Sequence, residues 1–259
     1  SGTLMACDQE GNPLGDAIVY NELVTTKKTS IRESRQTYRI EDINYSSINR
    51  AKKLISIHGS DLMLRHQADW VTGLFLANWG YGEESNNLKL GWDLEREEWK
   101  EFLFPTNWLN ILPKIVSSGT VLGAINKDKA KEYGLPQDLL IVAGTTDSTA
   151  AFLAAEPRKD EGITVLGSTI VTKCFGNKPL KGEGLTNHRI KGQWICGGSS
   201  NAGCKVLRKF FSDKELKELS QQINPEIKSG IKLLPLPSKG ERFPVWDPNL
   251  LPILEPRPV

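Results

Sequence analysis

One stretch of the chain carries a short apolar run that passes directly into a helical pattern. Leu139 to Val142 is apolar throughout, as in a buried parallel strand, and it stops before a glycine. Two threonines suited to a helix N-cap come next, then Asp147, then alanines and other good helix formers from 150 to 154. The pattern therefore places Asp147 in the first turn of a helix, at the carboxyl edge of a sheet, where open α/β sheets bind ligands.

Two interpretations of Asp147 remain open at this point. A carboxylate in the first helical turn is stabilised by the unpaired amides and the helix dipole, by roughly 0.3 to 1 kcal/mol, and needs no function. The same position also suits a residue that acts on a bound ligand.

The next element favours the functional interpretation. Ile163 to Leu166 and Ile170 to Lys173 are β-branched runs separated by Gly167, Ser168 and Thr169, which predicts a hairpin with a glycine turn. Such a turn offers backbone amides and two hydroxyls to an anion. An ordinary hairpin needs only glycine at its bend, so both interpretations stay open.

A second glycine-rich segment follows a predicted strand. Gln193 to Cys196 has the pattern of a strand and leads into glycines, serines and an asparagine from 197 to 203, before a helical pattern. A strand followed by a glycine-rich loop and the start of a helix can bind phosphate. The spacing here matches neither the Walker A motif nor GxGxxG. A tight joint of small residues explains the segment equally well.

Other patterns predict the surrounding elements. A hydrophilic run at 157–162 predicts a domain boundary, dividing the chain into 1–156 and 157–259. We also expect an N-terminal hairpin with strands at 3–7 and 17–20, helices at 46–58 and 67–77, a charged helix that includes 95–98, a strand at 121–125 and a short helix at 128–133.

Composition and charge change this picture little. The chain has 259 residues, 39% hydrophobic and 25% charged, with a net charge of +2. Without a basic stripe, neither nucleic acid nor a membrane surface is expected as a partner. Four cysteines without a CxxC pair, and histidines away from metal-ligand spacing, predict reduced thiols in an intracellular protein. The chain begins on a strand pattern and ends on a proline-rich run, so we expect it to be part of a longer protein.

Several motifs in one order carry a resemblance. With GTTDS, LGST and GGSSNAG, the chain resembles the FGGY carbohydrate kinases, the family of xylulokinase, ribulokinase and glycerol kinase. It is most similar to the D-ribulose kinases and xylulose-kinase-like proteins of cyanobacteria and plant plastids, through HQADW, SNNLKLGWD, LRKFFS and GERFP. The resemblance implies an α/β fold with two actin-like, ribonuclease H-like ATPase domains, both incomplete. Residues 1–156 would be the rest of the sugar-binding domain, and 157–259 the first part of the nucleotide-binding domain.

The resemblance also implies roles for individual residues. Asp147 matches the catalytic aspartate, which takes a proton from the terminal hydroxyl of the sugar as that oxygen attacks ATP. Ser1 and Gly2, together with Asp147, would bind the sugar. The residues expected to bind the nucleotide are Gly167, Ser168 and Thr169 of the hairpin and Gly197, Gly198 and Ser199 of the second glycine-rich segment.

The implied reaction converts D-ribulose to D-ribulose 5-phosphate with ATP and Mg²⁺. No protein ligand is assigned to the metal, except Asp147 through a water molecule. The DxGT motif and the adenine-binding glycine motif of the family are not present, so we expect this chain alone to be inactive. Cytoplasm, or plastid stroma in a plant or alga, is the expected location. The alternatives are a xylulokinase or other polyol kinase, and a non-catalytic actin-like protein that binds sugar or ATP.

Overall fold

The computed structural model describes residues 2–22, 24, 32–33, 36–37, 47–100, 103, 106–228 and 230–255. It divides into two compact units, each described separately below. The first unit is Ser1–Ala151 with Arg189–Gly192, and the second is Phe152–His188 with Gln193–Val259. The domain boundary expected near residue 157 remains a prediction. No helix in the described ranges is long and apolar enough to cross a membrane.

Within the residues that the structure describes, the first unit combines short strands with helices, and the last of these helices continues three residues past the division between the units. In chain order the elements are β1 (Leu4–Cys7), β2 (Arg32–Glu33), β3 (Gln36–Thr37), α1 (Ser47–His58), β4 (Met63–His66), α2 (Gln67–Leu76), β5 (Tyr81–Glu83), α3 (Glu84–Asn87), β6 (Trp92–Asp93), β7 (Glu98–Trp99), β8 (Lys114–Val116), β9 (Val121–Ala124), α4 (Lys127–Tyr133), β10 (Leu140–Val142) and α5 (Asp147–Ala154). The described residues of this unit also form 3₁₀ helices at Leu88–Leu90 and Thr106–Ile111.

The core of the first unit forms around β1, β4 and α1. β1 pairs antiparallel with β4, with Leu4 opposite His66. All four residues of each strand are buried. The apolar face of α1 contributes Ile48, Ala51 and Leu54 to the same cluster. The predicted helices at 46–58 and 67–77 are thus confirmed as α1 and α2, because an apolar stripe at helical spacing needs a surface to cover it.

Two predictions for this unit are wrong in detail. The segment 95–98 does not belong to a helix: Asp93 Oδ1 accepts hydrogen bonds from the amides of Glu95 (2.9 Å) and Arg96 (3.0 Å), which closes a turn between β6 and β7. The N-terminal hairpin returns onto β1 only through isolated bridges, one of which joins Leu4 to Ile18.

The strand before Asp147 also differs from the expectation. The sequence predicts a buried parallel strand, whereas β10 pairs antiparallel with β9 and leaves Leu140 and Val142 exposed. A three-residue apolar run does not specify the direction of its partner, because both kinds of pairing accept the same side chains.

The second unit is built on an antiparallel sheet. Its elements are β11 (Gly162–Leu166), β12 (Ile170–Gly176), β13 (Leu185–Ile190, which ends in the first unit), β14 (Gln193–Ser200), a 3₁₀ helix (Cys204–Lys209) and α6 (Asp213–Ser220). The strand order is β11-β12-β14-β13. The predicted glycine-turn hairpin is confirmed, with Leu166 opposite Ile170 across residues 167–169.

Candidate active site

Asp147 is the first residue of α5, as the sequence predicts. The carbonyl of Thr146 accepts hydrogen bonds from the amides of Thr149 (3.0 Å) and Ala150 (2.9 Å), so Thr146 occupies the N-cap position before the first helical residue. The Asp147 side chain is exposed, and its Oδ1 accepts a hydrogen bond from the amide of Ser148 at 2.7 Å. The carboxylate is therefore accessible to a ligand from solvent.

An open cleft is lined in part by Thr145, two residues before Asp147 in the sequence. Its walls come from α2, from β5 and α3, from one residue each of β8 and β9, and from the loop after β10. The polar part of the lining is formed by Asp69, Thr72, Glu83, Asn86, Gly144 and Thr145. We refer to it as the Asp69 cleft.

Asp69 and Glu83 organise one wall of this cleft. Asp69 Oδ1 accepts a hydrogen bond from the amide of Glu83 at 3.0 Å, and Oδ2 accepts one from Asn87 Nδ2 at 2.8 Å. The Glu83 carboxylate in turn accepts from the amides of Ser85 (2.9 Å) and Asn86 (2.8 Å), and also from the hydroxyl of Ser118. These bonds cap α3 and hold both acids in place, so their first role is structural.

Burial changes the protonation of both acids. It raises the pKa of Asp69 to about 7, against the hydrogen bonds from Glu83 and Asn87, which lower it. The pKa of Glu83 is also raised by burial, and its hydrogen bonds again oppose the change. The pKa of Asp69 therefore lies near neutral pH, a property that the sequence does not reveal because it depends on how deeply the side chain is buried.

Thr145 places an unpaired group at the cleft. Its Oγ1 is buried and has no hydrogen-bond partner among the residues that the structure describes. A buried hydroxyl without a partner is unfavourable unless water or a ligand completes its bonding. The sequence suggested Thr145 only as a helix cap, and the structure instead leaves that hydroxyl for another partner.

The two residues expected to bind sugar beside Asp147 differ in what can be said of them. Ser1 lies outside the described residues. Gly2 is buried, and its carbonyl accepts a hydrogen bond from Arg50 Nη1 at 3.2 Å. A Cβ atom at this position would lie 3.3 Å from Cβ of Tyr20, so the glycine permits close packing. The sugar-binding role of both residues remains a prediction.

In the second unit, the turn formed by Gly167, Ser168 and Thr169 is held in place by hydrogen bonds from the segment after β14. The carbonyls of Gly167 and Ser168 accept hydrogen bonds from the amides of Cys204 (2.9 Å) and Lys205 (3.4 Å). A Cβ atom on Gly203 would lie 2.6 Å from the Ser168 carbonyl oxygen, so a glycine is needed below the turn. The Ser168 side chain remains exposed. Such a turn can present hydroxyls and amides to an anion.

The segment Gly197, Gly198 and Ser199 is not the loop that the sequence predicts. All three residues lie inside β14, directly opposite Lys173, Thr172 and Val171 of β12. A Cβ atom on Gly197 would lie 2.0 Å from the Thr172 carbonyl oxygen, and one on Gly198 would lie 2.2 Å from the ring of Phe243. The glycines therefore allow close packing within a sheet. Their contact with nucleotide remains a prediction.

Pairing of β12 with β14 brings the two candidate nucleotide segments into one sheet. Ser199 lies opposite Val171, which is two residues beyond the end of the turn at Thr169. Glu241, which the sequence did not single out, supports this region: its carboxylate accepts hydrogen bonds from Ser200 Oγ and from the amide of Asn201 (2.7 Å). Only the sequence GERFP hinted at it, as part of the resemblance.

A metal site of the protein's own is not apparent in the described part of the chain, where no group of three or more His, Cys, Asp and Glu side chains could hold an ion. The two acids of the Asp69 cleft, Asp69 and Glu83, already accept hydrogen bonds from protein donors. These residues therefore do not fit a Mg²⁺ site.

Comparison with known proteins gives distant but extensive matches. No protein-family profile matches the chain. It is 23% identical to a xylulose kinase of Lactococcus lactis, over 96% of this chain and 54% of that protein. It is 26% identical to a xylulose kinase of Haemophilus influenzae, over 68% of this chain and 37% of that protein. The chain thus spans about half, or less, of the length of these relatives.

Solved structures match over nearly the whole chain. A ligand-bound xylulose kinase from Lactobacillus acidophilus superposes with a TM-score of 0.69 and 14% identity, covering 97% of this chain and 56% of that one. A xylulose kinase from Bifidobacterium adolescentis gives 0.67 and 14%, covering 97% and 62%. The glycerol kinase of Plasmodium falciparum with ADP gives 0.64 and 18%, covering 92% and 53%. The chain therefore has the α/β, actin-like ATPase fold of the FGGY-type sugar kinases, as the sequence predicted.

Proposed function

We propose that the protein is an ATP-dependent sugar kinase that phosphorylates the terminal hydroxyl of a ketopentose. The observation that carries the proposal is the placement of Asp147, an exposed carboxylate at a helix start, within a fold shared with sugar kinases. Phosphoryl transfer depends mainly on positioning and charge neutralisation, so one well-placed carboxylate and an anion-binding turn account for the protein's part.

In the proposed reaction Asp147 is the general base. Its Oδ1 already accepts the Ser148 amide, so Oδ2 is the atom that we assign to the sugar hydroxyl. That hydroxyl transfers its proton to Oδ2 while its oxygen forms a bond to the γ-phosphorus, and the bond to the β-phosphate oxygen breaks. The products are the sugar phosphate and ADP, and the proton is then released from Asp147 to water.

The turn at Gly167, Ser168 and Thr169 is the segment that we assign to the phosphates of ATP. Its exposed serine and its anchored carbonyls support that assignment. The second glycine-rich segment would lie near the nucleotide as part of the same sheet. Mg²⁺ would arrive with ATP as part of the substrate, and Asp147 is the residue that we assign to it, through a water molecule.

D-ribulose is the sugar that we propose, with D-ribulose 5-phosphate as the product. The proposal rests on the resemblance of the sequence to D-ribulose kinases, while the curated relatives reported above are xylulose kinases. The two sugars differ in the configuration of one hydroxyl, so a few hydrogen bonds decide between them. The unpaired Thr145 hydroxyl, two residues before Asp147, is our candidate for one such bond.

The test measures ATP-dependent phosphorylation of D-ribulose, D-xylulose, other pentuloses and glycerol. It uses both this 259-residue chain and the complete product of its gene. Asp147→Asn should lower kcat by about 10²- to 10⁴-fold. Asp128→Asn is the matched control, because Asp128 is also exposed in the first turn of a helix, and it should leave the rate unchanged.

Two results would contradict the proposal. An undiminished rate in Asp147→Asn would remove Asp147 from the reaction. Binding of sugar or ATP by calorimetry, with no phosphorylated product from the complete gene product, would instead favour a non-catalytic binding protein. A higher kcat/KM for D-xylulose than for D-ribulose would correct the sugar and leave the kinase assignment in place.

A further inference from the structure

Two of the four cysteines lie directly opposite each other in the second unit. Cys174 on β12 pairs with Cys196 on β14 in the antiparallel register. Directly opposed residues of an antiparallel pair project their side chains on the same face, with Cα atoms about 4.5 or 5.5 Å apart. Both separations fall within the range of about 4.4 to 6.8 Å that a disulfide bridges. The backbone is therefore already placed for a bond between these two sulfurs.

Both residues are free thiols in this structure, and they differ in exposure. Cys174 is half-buried and accessible to a small reagent, whereas Cys196 is buried and donates a hydrogen bond to the Lys178 carbonyl at 3.4 Å. Burial raises the pKa of the Cys196 thiol, a hydrogen bond from the Leu180 backbone opposes that change, and the nearby Cys174 adds to the increase.

Space around the buried sulfur comes from a glycine on the same face of β12. A Cβ atom on Gly176 would lie 2.7 Å from Cys196 Sγ, so any other residue there would displace the thiol. The sulfur of Cys196 thus lies over Gly176, two residues from Cys174 on β12, and rotation about its Cα–Cβ bond would turn it toward Cys174.

We propose that Cys174 and Cys196 form a reversible disulfide, a redox modification site that joins β12 to β14. The oxidant is a low-molecular-weight disulfide. The Cys174 thiolate attacks one of its sulfurs, forming a mixed disulfide and releasing one small thiol. The Cys196 thiolate then attacks the Cys174 sulfur, the protein S–S bond forms, and the second small thiol leaves. Each protein thiol loses one proton, and the small disulfide is reduced to two thiols.

The disulfide would lie next to the glycines of the second candidate nucleotide segment. The next pair along the sheet is Lys173 with Gly197, followed by Thr172 with Gly198. A disulfide at Cys174 and Cys196 would therefore hold together the two strands that carry both candidate nucleotide segments. Its effect on nucleotide affinity rests on the proposed function, whereas formation of the bond does not.

The experiment treats the folded protein with oxidised glutathione, blocks the remaining thiols at low pH and maps peptides without reduction. It uses a Cys204→Ser background, because no Lys or Arg lies between Cys196 and Cys204 and both would fall in one tryptic peptide. The thiol count should fall from three to one, the remaining thiol being the buried Cys7. One peptide linking Cys174 to Cys196 should appear, and a dithiol should reverse it.

Single variants in the same background test the order of events. Cys196→Ser should accumulate a glutathione adduct on Cys174, because the second attack is blocked. Cys174→Ser should leave Cys196 unmodified, because its sulfur is buried. The proposal is overturned if no peptide linking the two cysteines forms, or if the glutathione adduct on Cys174 persists when Cys196 is intact.

A separate measurement addresses the nucleotide. The Kd for ATP of the complete gene product should differ between its oxidised and reduced forms, and the difference should vanish in Cys196→Ser. An unchanged Kd with the disulfide formed would overturn the link to the nucleotide and leave the modification site standing. No ATP binding in the reduced form would count against the proposed function alone.

Discussion

Asp69 and Glu83 are linked by a hydrogen bond in which the amide of Glu83 donates to Asp69 Oδ1 at 3.0 Å. This bond connects α2 to the junction of β5 and α3, and the Glu83 carboxylate then caps α3. Both residues line the Asp69 cleft, whose lining also includes Thr145, two residues before Asp147 in the sequence. The candidate site therefore rests on a buried acidic pair, and its stability should respond to changes in that pair.

Removing the Asp69 carboxylate should destabilise the first unit. Asp69→Ala takes the acceptor away from the Glu83 amide and from Asn87 Nδ2, both of which are buried. Asn87 Nδ2 keeps its hydrogen bond to the Glu83 carbonyl at 2.9 Å, so the Glu83 amide is the donor that the change affects most. A buried donor without a partner costs about 1 to 3 kcal/mol, and we expect a loss of that size in the free energy of unfolding by urea. Asp61→Ala, at an exposed aspartate, should change it by less than about 0.5 kcal/mol. Equal effects of the two variants would contradict the structural role of Asp69.

The pH dependence of stability should carry the signature of Asp69. Its pKa is about 7 in the folded protein, against an ordinary value of 3.8. Between these values the folded protein retains a proton that the unfolded chain has lost, so the free energy of unfolding falls as pH rises. For this one proton, the free energy of unfolding falls by at most about 1.4 kcal/mol per pH unit, or by about 2 to 3 kcal/mol from pH 5 to pH 7. Asp69→Asn does not titrate, and its stability should fall less over that interval. Parallel pH profiles for the two proteins would refute this assignment.

Arg189 should matter more than an exposed arginine in a similar ion pair. Its Nη2 lies 2.8 Å from Glu84 Oε2, and the Glu84 side chain is only 2% exposed. Arg189→Leu leaves that carboxylate buried without its cation, for which we expect a loss of about 3 to 5 kcal/mol. Arg208→Leu is the control, because Arg208 pairs with Asp213 at the surface and should contribute about 0 to 1 kcal/mol. Urea unfolding of both variants at one pH gives the comparison, and a smaller loss for Arg189→Leu than for Arg208→Leu would contradict it.

Glycine is required at 197 for packing within the sheet. A Cβ atom there would lie 2.0 Å from the Thr172 carbonyl oxygen, which is backbone and cannot move aside cheaply. Gly197→Ala should therefore cost about 1 to 3 kcal/mol, seen as a lower midpoint of thermal or urea unfolding. Gly162→Ala on β11 is the control, since its Cβ atom would lie 3.6 Å from the Lys173 carbonyl oxygen, an ordinary contact. If both variants unfold at the same midpoint, the close approach at Gly197 is not limiting.

Several features of this protein follow from neighbouring residues alone. The hairpin of β11 and β12 was predictable because two β-branched runs flank a three-residue glycine turn, and α1 and α2 were predictable from apolar residues at helical spacing. The place of Asp147 at the start of α5 followed from the threonine cap and the helix formers after it. Such features depend on turn chemistry and periodicity, which residues close in sequence determine.

The tertiary structure decided which distant partners meet. Asp69 lies 18 residues from Asn87, and Glu84 lies 105 residues from Arg189, so no local pattern announces either contact. The same holds for the antiparallel partner of β10 and for the glycines of β14, whose close neighbours come from another strand and from Phe243. The sequence by itself determined the local elements and the candidate base. Pairing, burial and the resulting pKa of Asp69 depend on the whole packed unit, because a side chain's partners and solvent exposure are set only when remote segments come together.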